Sequence, residues 1–182
     1  MTTQYPSAHA ELASVEFALP DVAQSAQSAL QEALAFSAAK LRLSGDNDAL
    51  QALRRNDPSV RGYFEYALAK QVGEHLGALD EEVQAVYLYD DEATAEDAIL
   101  GSAPSTLVHL LVVVRRKTNA LSAMIAALDR ALVQAYGKLM NNVQIAHLLD
   151  VQVVDEAEVD ARTGYAALLS LLHRRPLSVW QR

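Results

Sequence analysis

Residues 106–114 read Thr-Leu-Val-His-Leu-Leu-Val-Val-Val and constrain this chain more than any other stretch. A run so rich in β-branched and apolar residues reads as a strand. Its near-continuous apolar character implies burial on both faces, the condition of an inner strand in an α/β sheet. Residues 83–89, Val-Gln-Ala-Val-Tyr-Leu-Tyr, form a second strand of apolar and aromatic residues. An acidic, alanine-rich segment, 90–104, joins the two and carries Gly101 and Pro104.

Around these strands the pattern is helical. Pro20-Asp21 opens a segment in which Val22, Ala26, Leu30, Ala33, Leu34 and Leu41 recur at helical spacing, with Gly45 as its stop. Asp46-Asn47-Asp48 reads as a turn and cap before a short helix over 49–55. Asp57-Pro58 is a sharper signal, an N-cap aspartate followed by proline at the first helical position. Val60, Phe64, Leu68, Val72 and Leu76 then mark one face at a spacing of four, and Gly77 can end the helix. Thr118 or Asn119 caps a long amphipathic helix through Leu121, Ile125, Leu128, Leu132, Ala135, Tyr136 and Leu139, which Asn141-Asn142 ends. A third strand over 148–154, a helix over 162–173 and a short edge strand over 177–180 complete the order.

With 182 residues and 51% hydrophobic content, the chain can bury one full core, or a small domain plus a helical extension. The fold class is α/β (α+β): a small mixed sheet flanked by helices. Residues 1–78 make a helical N-terminal region packed on the core, and residues 79–182 make the α/β domain. The net charge of −8 argues against nonspecific nucleic-acid binding, which needs a basic surface to displace counterions. The absence of cysteine excludes disulfides, thiolate metal sites and a cysteine nucleophile. No basic segment followed by an apolar run opens the chain, and its longest apolar run is too short to span a bilayer, so a cytoplasmic protein without membrane association is expected.

In order and spacing, residues 58–182 resemble the nucleotidyltransferase superfamily. That family has a strand ending in Gly-Ser, a second strand bearing Asp-x-Asp, a long helix, a third strand with a third carboxylate, and a terminal helix. Here Asp90-Asp91 stand in the Gly-Ser place, Leu107 and His109 in the Asp-x-Asp places, and Asp150 in the third carboxylate place. Transfer in such enzymes runs on two magnesium ions about 3.5–4 Å apart, which bridge the triphosphate and neutralise the leaving pyrophosphate. Magnesium takes hard oxygen ligands; leucine cannot ligate it, and imidazole suits softer metals. Carboxylates at 90 and 91 would also set negative charge where the family brings backbone N–H groups to phosphate.

The resemblance therefore implies a degenerate metal site and a binding or assembly role, with no resident cofactor. A rival expectation is an active nucleotidyltransferase in which Asp90, Asp91 and Asp150 gather Mg2+, with Asp150 as the catalytic carboxylate. Arg115, Arg116 and Lys117, in the loop after the second strand, are candidate contacts for nucleotide phosphates. A third expectation, from a different class, is a helical interaction protein whose alanine-rich stripe over 22–41 pairs with a second copy or a protein partner. His109 reads most simply as a neutral core residue with one ring nitrogen hydrogen-bonded.

Overall fold

The computed structural model describes residues 19–89, 108–141, 144–171 and 175–182. Helices α1 (Leu19–Leu41), α2 (Asp46–Arg54) and α3 (Pro58–Leu79) come first. They lead into β1 (Val83–Leu88), β2 (Val108–Val114), helix α4 (Asn119–Leu139) and β3 (Leu149–Asp155). A short helix α5 (Glu156–Ala161), a 3-10 segment (Gly164–Ser170) and β4 (Leu177–Gln181) follow. The strands lie in the order β3-β2-β1-β4, with β2 and β3 parallel and the other pairs antiparallel. The fold is thus mixed α/β, a four-stranded sheet flanked by helices and preceded by a helical region.

The cap signals in the sequence act as expected. Asp57 Oδ1 accepts from the backbone N–H groups of Ser59 (2.9 Å) and Val60 (3.2 Å), and Pro58 opens α3. Thr118 Oγ1 accepts from Leu121 N at 3.1 Å to start α4, and Asn141 takes a left-handed φ of 60° just beyond its end. Other boundaries differ from the sequence reading. Arg42, with φ 53°, ends α1 ahead of Gly45, and Asp46, Asn47 and Asp48 form the first turn of α2. The acidic residues after β3 are themselves helical. Asp155 and Glu158 make a reciprocal capping box that starts α5. Left-handed backbone at Arg162 and Gly164 then closes it, so residues 164–170 form a 3-10 segment in place of the long helix expected over 162–173.

Gly77 does not end α3, which runs on to Leu79. Its role is clearance. The indole of Trp180 on β4 lies across Gly73 and Gly77, and a Cβ built on Gly77 would fall inside the van der Waals shell of the ring. A β-bulge between Trp180 and Ser178 turns both Val179 and Trp180 toward the helices.

One apolar core joins the helices to one face of the sheet. Val86 of β1, alternate residues of β2 (Val108, Leu110, Val112, Val114) and Leu149 of β3 meet Phe64, Leu68, Leu76, Leu128 and Leu132 there. The opposite face carries His109, Leu111 and Val113 with Tyr87 and Tyr89, partly covered by Ala166 and Leu169 of the 3-10 segment. Helix α1 is the outer layer: it packs on α2, α3 and α4. Ala26, Ala29, Leu30, Ala33, Leu34 and Ala38 are all buried in that contact. The alanine-rich stripe is therefore covered by this chain's own helices and is not a free face for a second copy, which corrects the interface expected there. No helix among the described residues is long and apolar enough to cross a membrane.

Candidate functional site

The parallel register of β2 and β3 sets His109 beside Asp150. On a strand, alternate side chains share a face, so both project from the sheet side opposite α3. His109 Nδ1 lies 3.0 Å from Asp150 Oδ2. Gln152, two residues along the same face of β3, donates from Nε2 to Asp150 Oδ1 at 3.0 Å. The two oxygens of the carboxylate thus have different partners. The His109 side chain is 9% exposed and that of Asp150 is 36% exposed. The Tyr89 ring packs on the imidazole with centroids 5.5 Å apart, and Tyr165 of the 3-10 segment packs on Tyr89 at 6.3 Å. Tyr165 is half exposed.

This arrangement fixes the imidazole. A carboxylate oxygen accepts, so the ring nitrogen that faces it, Nδ1, is the donor of this bond. The site is an imidazole held by a carboxylate beside two tyrosine rings. The described residues alone do not supply the several hard oxygens in octahedral array that magnesium needs. Among the described residues one carboxylate is present here, that of Asp150; each of its oxygens is engaged, and its neighbour is an imidazole. Among the described residues no group of three or more histidine, aspartate or glutamate side chains converges to hold a metal. Asp90, Asp91 and Leu107 lie outside the described residues; β1 delivers its last described residue, Tyr89, to the His109 end of the sheet.

The basic loop lies elsewhere. Arg115, Arg116 and Lys117 follow β2 at its far end, where Val114 pairs with Asp155. Five register steps from the His109–Asp150 pair, at about 3.3 Å each, separate the loop from Asp150 by about 17 Å. Lys117 Nζ is engaged with Glu158 Oε2 at 2.6 Å, and Arg116 faces Glu82 at 3.6 Å. The Lys117 hydrogen bond, with the backbone N–H of Asp155, holds the Glu158 carboxyl below its usual range. Phosphate contacts from this loop and chemistry at Asp150 thus belong to opposite ends of the sheet.

A second histidine–aspartate pair was not legible in the sequence. Asp129 of α4 is 7% exposed, and its Oδ1 accepts from the backbone N–H groups of Leu148 and Leu149, both at 2.9 Å. Its Oδ2 lies 2.7 Å from His147 Nδ1. This carboxylate ties the start of β3 to α4, while the His147 side chain remains 70% exposed. The only sequence signal was a charged residue next to Leu128 on the apolar face of α4.

Comparison with protein-family models, with curated proteins and with solved structures finds no match to this chain.

Proposed function

We propose that this chain is a divergent nucleotidyltransferase-type protein that has lost magnesium-dependent transfer and serves as a binding module, its ligand seated at the Tyr89–His109–Asp150 end of the sheet. The observation that carries the reading is the His109–Asp150 pair at neighbouring positions of β2 and β3. By the resemblance, these are the places of the second and third metal-binding carboxylates. A histidine that turns Nδ1 to the one retained carboxylate contributes no hard oxygen and occupies an oxygen that a cation would need. A nucleotide is the ligand class to which the resemblance points.

The test uses the full chain with each of the four nucleoside triphosphates and Mg2+ or Mn2+, following pyrophosphate release and, by calorimetry, binding. The expected result is no release above buffer, with any binding independent of the metal. Release that survives His109→Ala and is abolished by Asp150→Ala would refute the proposal. It would favour instead an active site built from Asp90, Asp91 and Asp150.

A further inference from the structure

The seam between α1, α3 and α4 holds a buried polar atom without a hydrogen-bond partner among the described residues, the Nε2 of His75. Beside it lies a cleft of about 210 Å³ with Ser25 and Ser28 from α1, Gln71 and Glu74 from α3, and Leu128 from α4. Buried polar atoms in folded proteins are nearly always paired, so an orphan at a helix seam marks either a function or a conformation held by its surroundings. A neutral imidazole tolerates this position, because an unprotonated Nε2 forgoes one acceptor bond. A protonated ring does not: Nε2 becomes an N–H bearing positive charge with nothing to accept it.

We propose that His75 is an acid-sensitive latch that holds α1 on the helical layer while its ring is neutral and lets α1 loosen when the ring is protonated. The charged groups around it favour this outcome. On α3, Glu74 lines the cleft, and its exposed carboxylate faces Lys70 at 3.6 Å. It offers a protonated ring an acceptor outside the seam. From α1 the cleft receives Ser25, Ser28 and Ala29; the Glu32 carboxylate, one turn on, takes a hydrogen bond from Ser28 at 3.5 Å. From α4 it receives Leu128; the adjacent Asp129 is committed to His147 and the start of β3. A charged ring thus gains by leaving the seam for the cleft. Burial holds the His75 pKa below its ordinary value, so the folded seam binds a proton less readily than the unfolded chain.

Helix α1 is the element that responds. Among the described residues its main contacts are with α2, α3 and α4, whereas α3 also packs on β1 and β4. Its buried stripe is mostly alanine, which removes little area from water per residue. Elements with few large buried contacts open at lower free energy than the core.

The experiment is amide hydrogen exchange on the full chain between pH 7.5 and 5, corrected for intrinsic rates, with His75 titrated by NMR in parallel. Once the pH is below the His75 value, protection of Ala26–Ala38 is expected to fall about tenfold for each unit by which the pKa is depressed. Protection in β2 is expected to hold. In His75→Gln, which keeps a polar side chain without the titration, the acid loss over α1 disappears. Equal pH dependence of α1 protection in both proteins overturns the proposal, as does titration of His75 with α1 protection unchanged. If His75→Gln is poorly folded, His75→Leu supplies the same comparison.

Discussion

Replacing Asp129 by alanine tests how the third strand is fixed. The carboxylate accepts from Leu148 N and Leu149 N at 2.9 Å each and faces His147 Nδ1 at 2.7 Å. Leu148 and Leu149 are 0% and 6% exposed, so water cannot readily replace the lost acceptor. A buried donor left unpaired costs about 1–3 kcal/mol. Two such donors put the loss for Asp129→Ala at about 2–6 kcal/mol, the lower part of the range if the strand start relaxes into the space vacated. Asp129→Asn keeps an oxygen at the position that serves both backbone groups. Its loss should be about 1–2 kcal/mol, the difference between a charge-assisted and a neutral hydrogen bond. His147→Ala, which removes an exposed partner, should cost under about 1 kcal/mol. Urea unfolding at pH 7 reads all three as shifts in midpoint at constant slope. An Asp129→Ala protein within about 0.5 kcal/mol of the parent would refute the assignment of Asp129 as the anchor of β3. An Asp129→Asn protein as unstable as the alanine variant would show that charge, and not the geometry of acceptance, is what holds the strand.

Two further outcomes follow from contacts elsewhere. Gly77→Ala drives a methyl into the Trp180 indole and should destabilise by about 1–3 kcal/mol, with a changed near-ultraviolet dichroism of the single tryptophan; Trp180→Leu in the same chain should recover part of the loss, and no recovery would separate the two residues. Glu158 has a depressed pKa in the folded state, so its contribution is fully present above the unfolded glutamate pKa and is lost as pH falls through the folded value. Thermal melts across the acid range should accordingly show a shallower loss in Glu158→Gln than in the parent, and superimposable profiles would contradict the Lys117 pairing.

Helix α3 and strand β2 were legible in the sequence for local reasons. Asp57-Pro58 satisfies orphan backbone donors within three residues, and β2 declares its two-sided burial by composition alone. Gly73 and Gly77 were not, because their spacing serves an indole far along the chain, and a local reading sees only a helix stop. The same limit divides the site. His109 and Asp150 could be named from the sequence, since each occupies a strand position of definite parity. Their contact depends on the parallel register of β2 and β3. The direction of β2 also decides that residues 115–117 emerge away from Asp150, which proximity in sequence to His109 conceals. Asp129 was missed because its backbone partners lie 19 and 20 positions on, and nothing within α4 asks for a buried charge.

The docking of β4 on α3 has a consequence for how the chain assembles. Arg182 donates to the carbonyl of Gly77 across 105 positions, and Trp180 fills the groove that the two glycines leave. Closing so long a loop is entropically slow compared with pairing α1 and α3, which only the short α2 separates in sequence. The helical layer can thus collapse while the glycine face of α3 still lacks its cover. In this order the last strand to arrive converts a loosely seated helix into a fixed one, and substitutions in β4 should act mainly on the unfolding rate while those between α1 and α3 act on folding.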